Sequence, residues 1–83
     1  MSDLKRKFDE MVKKVAKGEV ALQEPTNQQK LAIYALYKQA TKGDAPEEAD
    51  GSDMISRAKH IAWGKHQGMS KDEAMKKYIA YFK

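Results

Sequence analysis

Apolar residues recur at helical spacing in four stretches of the chain. Phe8, Met11, Val12 and Val15 follow Leu4 at offsets of 4, 7, 8 and 11, the face of a helix with about 3.6 residues per turn. Ser2 or Asp3 suits the N-cap of this helix, and Gly18 suits its stop. Ile33, Leu36 and Ala40 form a second stripe. Thr26 and Gln29 stand at capping-box spacing in front of it, so a second helix is predicted from there to about Lys42, with Gly43 as its stop. Pro25 turns Glu24 away from helical geometry, which leaves residues 18–25 as a connector. Met54, Ile55, Ala58, Ile61 and Ala62 predict a third helix from Ser52 or Asp53 to near Gln67-Gly68. Ser70 and Glu73 repeat the capping spacing and open a fourth helix through Tyr81, with Ala74, Met75, Tyr78, Ile79 and Phe82 on its apolar side. No stretch keeps a period of two between turn residues, so no strand is predicted. The expected fold is all-α, a small four-helix bundle whose stripes share one core.

Length limits what such a bundle can hold. The 83 residues are read as a single domain over 1–83, and a chain this short buries about 60–65% of its unfolded surface. A ligand should therefore lie in a groove or an open bowl rather than in a closed cavity. The absence of cysteine excludes disulfides, thiolate metal sites and cysteine catalysis. No apolar run approaches the roughly 18 residues of a membrane span, and the first residues lack the apolar core of a signal peptide. A cytoplasmic, monomeric protein is expected.

Charge is unevenly spread. Residues 1–43 carry a net +4, residues 44–53 a net −5 and residues 54–83 a net +5. Two basic helical segments thus flank an acidic loop. The balance suits an anionic partner, and it suits equally a solvated, lysine-rich helical surface.

The second helix carries the densest candidate chemistry. Beside its apolar stripe, Tyr34, Tyr37, Lys38 and Thr41 fall within a sector about 100° wide. A phenol offers a flat ring for stacking and a hydroxyl for bonding; an ammonium is a point charge suited to phosphate. Together they match an aromatic base that carries phosphates, although tyrosines at a wet core rim would look the same. On the third helix Lys59 and Trp63 are neighbours at four-residue spacing. Trp63 suits a core edge, a lysine-stacking partner or a ligand wall. Tyr78 sits in mid-stripe on the fourth helix, as a buried phenol or a ligand contact. Catalytic and metal-binding sets are missing from the pattern. His60 and His66 are six apart and have no partner at metal-ligand spacing. No nucleophile stands beside a base, and the five glycines are scattered rather than gathered in a phosphate loop.

These stretches resemble a known family. The run from Tyr34 to Asp44, Tyr-Ala-Leu-Tyr-Lys-Gln-Ala-Thr-Lys-Gly-Asp, is similar to the second-helix signature of the acyl-CoA-binding proteins. Ala58-Lys59 with Ala62-Trp63 resembles the family's Ala-Lys-Trp-x-Ala-Trp stretch. Gly68-Met69-Ser70 and Ala74-Met75-Lys76-Lys77-Tyr78-Ile79 resemble its fourth-helix signature. The resemblance implies an up-down-down-up four-helix bundle that binds long-chain acyl-CoA one to one, without catalysis and without a cofactor. It implies that Tyr37 stacks on the adenine, that Tyr34, Lys38 and Lys59 hold the ribose 3′-phosphate, and that Tyr78 contacts the nucleotide. The acyl tail would lie in an apolar groove, for which Met11, Leu31, Lys30 and Trp63 are the candidate walls. The chain departs from the family's pattern at His60, where tryptophan is usual, and at Lys30 and Ala32, where bulky apolar residues are usual.

Two other readings compete. A small basic nucleic-acid-binding module is permitted by the charge. However, arginine, the commonest base-specific contact, occurs only at Arg6 and Arg57, and the acidic loop opposes a continuous polyanion, so no nucleic-acid partner is expected. A groove for a partner helix would need apolar anchors where Tyr37 and Lys38 stand.

Overall fold

The computed structural model describes residues 3–20, 25–49 and 51–82. Four helices, α1 (Asp3–Ala16), α2 (Asn27–Lys42), α3 (Met54–Gly64) and α4 (Lys71–Tyr81), follow the four apolar periodicities, and there is no strand among the described residues. Ser2 and residues 21–24 of the predicted connector lie outside the described residues.

Two helix starts are fixed by their caps. Thr26 Oγ1 accepts the Gln29 N–H at 3.1 Å, and Gln29 Oε1 accepts the Thr26 N–H at 2.8 Å, which satisfies two otherwise orphaned donors. Ser70 Oγ accepts the Glu73 N–H at 3.0 Å, the hydroxyl half of the same device. Gly43 ends α2 at φ +84°, a conformation costly for any side chain with a Cβ.

The core is built by α1, α2 and α4. Phe8, Leu36, Ala40, Ala74, Met75, Tyr78 and Ile79 form one buried cluster. α4 packs between α1 and α2, whereas α3 packs on α2 alone. The indole Nε1–H of Trp63 donates to Gly43 O at 2.7 Å, which joins the C-terminal ends of α2 and α3, so the two helices run in the same sense. α4 runs against them: Met69, just before it, meets Gln39 near the end of α2, and Tyr78 lies by Tyr37, earlier in α2.

Two sequence expectations about α3 change. The helix ends at Gly64 instead of near Gln67-Gly68. The backbone tightens there into three-residue turns, His66 N–H to Trp63 O at 3.0 Å and Gln67 N–H to Gly64 O at 3.2 Å, consistent with the poor helix propensity of glycine. The apolar stripe of α3 is also not core. Met54, Ile55 and Ile61 are 86%, 67% and 61% exposed, because a helix with a single helical neighbour has nothing to cover a second face.

Gln39 ties the acidic loop to the bundle. It is fully buried, and its Nε2 donates to Met69 O and to Asp44 Oδ1, both at 2.9 Å. Asp44 Oδ1 also accepts the Gly68 N–H at 2.8 Å. The Gly68 N–H, and after it the Gln39 amide, hold the Asp44 carboxyl below its ordinary value of 3.8. A depressed folded value means that the ionised form favours the fold. Its contribution is complete above the unfolded value and is lost as pH falls through the lower folded one. Asp44→Asn should therefore lower the thermal midpoint near neutrality, and its deficit against the wild type should close below about pH 4. A deficit that stays constant through acid titration would contradict this assignment.

Candidate ligand-binding site

Tyr34 and Lys38, in the polar sector of α2, face α3, and the short spacing of Lys59 and Trp63 brings both onto the opposite wall. Lys38 Nζ lies 5.7 Å from the Tyr34 ring centroid and 5.8 Å from that of Trp63. Lys59 Nζ lies 5.2 Å from the Tyr34 centroid. Two ammonium groups from two helices thus converge on one phenol ring, at a cation–π distance for each. Among the described residues the ion pairs are Lys5–Asp9 and Arg6–Asp3, both within α1; neither Lys38 nor Lys59 has a carboxylate within ion-pair reach. Like charges gathered without a counter-charge create a local positive field.

Tyr34, Lys59 and Trp63 line a cavity of about 210 Å³ that Pro46, Ser56 and His60 complete. His60 and Trp63 hold the loop at its rim. The His60 Nε2–H donates to Pro46 O at 2.6 Å, and the Trp63 indole holds Gly43 O. The tryptophan is buried, and its ring wall is fixed by that bond. His60 therefore anchors a loop through its ring nitrogen.

Tyr37 stands one residue from Lys38 and is 36% exposed. Its inner side is backed by Phe8, with centroids 6.3 Å apart and planes at 24°, and by Tyr78 at 6.4 Å. A ring supported on one side and open on the other is a stacking platform. Tyr78 itself is in the core cluster, edge-on to Phe8 at 5.1 Å. Burial, with Tyr37 nearby, pushes its hydroxyl above the ordinary value of 10.0, so it remains a neutral phenol. Thr41 turns inward along its own helix, its hydroxyl bonding Tyr37 O at 2.8 Å.

The candidate groove walls do not come together in one place. Leu31 and Lys30 line a recess of about 430 Å³ with Asn27, Met54, Ile55 and Ala58. Trp63 lines the smaller polar cavity instead. Met11 packs half-buried against the core from α1. Met54, Ile55 and Ala58 join the recess lining although their spacing is that of a packing stripe. Gln39 is legible in the pattern: on the helical wheel this lone amide falls between Ala35 and Leu36, inside the buried face of α2.

The structure thus defines a small all-α binding domain, with an aromatic platform, a positively charged pocket and an apolar recess along the α2–α3 seam. The family model described as "Acyl CoA binding protein" matches residues 5–82, and the chain belongs to that family. It is 42% identical over 81 residues to the acyl-CoA-binding protein of Brassica napus, covering 96% of this chain and 85% of the relative. It is also 42% identical to the acyl-CoA-binding protein homolog 1 of Caenorhabditis elegans, over 68% of this chain and 66% of the relative, just under two thirds of that protein's length. The crystal structure of the Moniliophthora perniciosa protein aligns with a TM-score of 0.78 at 36% identity, covering 98% of this chain and 76% of that one. Oryza sativa acyl-CoA-binding protein 2 aligns at 0.79 and 35% identity, covering 94% and 84%.

Proposed function

We propose that this protein binds long-chain acyl-CoA esters one to one, as a single non-catalytic domain over residues 1–83, and carries them as a cytoplasmic monomer. The observation that carries the reading is the pair of uncompensated ammonium groups, Lys38 and Lys59, converging on Tyr34 over an open cavity. That pair suits a phosphate monoester, and the ribose 3′-phosphate is the one a coenzyme A head presents. Tyr37 receives the adenine, with Phe8 and Tyr78 supporting it from below. The acyl tail runs into the recess of Lys30, Leu31, Met54, Ile55 and Ala58. Lys30 lies at the rim, where its stem can cover methylenes while its charge stays wet. Nucleic acid is not an expected partner, and no described helix is long and apolar enough to cross a membrane.

Head and tail contribute on comparable scales. A charge-assisted bond to phosphate contributes about 1.5–3 kcal/mol, and each methylene removed from water roughly 0.8 kcal/mol. The protein should therefore discriminate against either half alone. Calorimetric titration with hexadecanoyl-CoA, free CoA and hexadecanoate tests this. One-to-one binding of the thioester, with both fragments at least about a hundredfold weaker, is expected. Trp63, as a wall of the phosphate cavity, should report the thioester by a change in its emission. Equal affinity for CoA and its ester would remove the tail from the site, and silence with all three would end the reading.

A further inference from the structure

The α2–α3 seam holds a second apolar recess. It has a volume of about 590 Å³ and is lined on the α2 side by Gln28, Leu31 and Ala32 and on the α3 side chiefly by Ala58, Ile61 and Ala62. Leu31 and Ala58 line both recesses, so the two adjoin at that pair. Among the described residues the exposed large apolar side chains are Tyr37, Met54, Ile55 and Ile61. The first is the proposed adenine platform, the next two border the first recess, and Ile61 borders the second. Three of the four thus lie along the two recesses. Ala32 contributes no more than a methyl group to the second recess, which leaves room there that a larger side chain would fill. From Met54 to Gly64, at about 1.5 Å per residue, α3 runs for about 15 Å beside the two recesses.

Resting on acyl-CoA binding as proposed above, we infer that the tail does not end in the first recess: its distal methylenes cross Leu31 and Ala58 and occupy the second recess against Ala32 and Ile61, so that these two residues set the longest acyl chain from which affinity is gained. The shared lining puts the second recess next to the first, so a tail that outgrows the first meets the second at Leu31 and Ala58. The polar far end, Lys65 and His66, marks where the gain stops, since methylenes beyond it return to water.

The test is an affinity series with saturated acyl-CoA esters from eight to twenty carbons, on wild type, Ile61→Ser and Ala32→Leu. Ile61 is exposed, so its substitution leaves the fold intact, and circular dichroism checks Ala32→Leu. In the wild type each added methylene should raise affinity about fourfold while it remains under cover, up to a plateau. In both variants the short esters should bind within about twofold of wild type, and the plateau should come at least two carbons earlier. For the longest esters that amounts to a loss of about tenfold or more. A plateau at the same carbon number in all three proteins overturns the inference while leaving acyl-CoA binding intact. Wild type that binds no ester of any length overturns the inference together with the reading beneath it. An Ile61→Ser defect that is equal for every chain length also overturns it, and assigns that face to some other contact.

Discussion

Lys38→Ala should lower affinity for hexadecanoyl-CoA by about ten- to a hundredfold, and should lower affinity for the 3′-dephospho analogue hardly at all. The expectation follows from the geometry around Tyr34. Lys38 and Lys59 reach the same ring from α2 and α3, at 5.7 and 5.2 Å, and among the described residues no carboxylate pairs with either. A doubly charged phosphate placed between them forms charge-assisted bonds of about 1.5–3 kcal/mol each. Removing one ammonium removes one such bond and leaves the other. Lys59→Ala should behave alike. The double variant should lose less than the two single losses combined, because both groups bind one anion and are coupled through it. The Lys38 ammonium also lies over the Tyr34 and Trp63 rings, so Lys38→Met is the control: it keeps an apolar stem and removes the charge. If Lys38→Met restores affinity, the stem rather than the charge carries the effect. If the dephospho analogue loses as much as the parent ester, the charge acts on another part of the ligand. In the free protein, stability should hold or rise slightly, since the two like charges no longer oppose each other.

The polar sector of α2 was legible in the sequence because helical geometry alone places Tyr34, Tyr37 and Lys38 side by side. The partner wall was legible in part: Lys59 and Trp63 are neighbours on any helix, but only packing brings them across to Tyr34. Periodicity could not assign the apolar stripe of α3. Met54, Ile55 and Ile61 have the spacing of core residues, and spacing carries no information about whether another helix arrives to cover them. What decides the matter is that α3 touches α2 alone, a property of the whole chain. The same limit explains Trp63, which by type suited several roles and is placed by one bond to Gly43 O. Gln39 and Asp44 show the reverse case. Nothing in their types reveals that they meet, because the loop between them closes only when Met69 and Gly68 come to the same corner.

Phe8→Ala should be the most damaging single substitution to the fold, and its effect on binding should fall on the adenine and not on the phosphate. Phe8 is the one fully buried residue of α1. It joins that helix to the rest through an edge contact with Tyr78 at 5.1 Å and a stack on Tyr37 at 6.3 Å. Truncating a buried phenylalanine costs about 3–5 kcal/mol. That is a large share of the roughly 5–15 kcal/mol that holds a domain together, and an 83-residue chain has little surplus. Chemical denaturation should therefore show a midpoint shifted far towards zero denaturant, with Phe8→Leu losing much less because it refills most of the hole. The binding consequence separates the two halves of the head-group site. Tyr37 loses its support and gains freedom, so a folded Phe8→Leu protein should bind acyl-CoA more weakly. The contacts of Lys38 and Lys59 with the Tyr34 and Trp63 rings do not involve Phe8. The ratio of affinities for acyl-CoA and its 3′-dephospho analogue should then match that of the wild type. If the ratio collapses, the platform and the phosphate pocket are one unit; if it survives while overall affinity drops, the bundle reads base and phosphate through two independently supported walls.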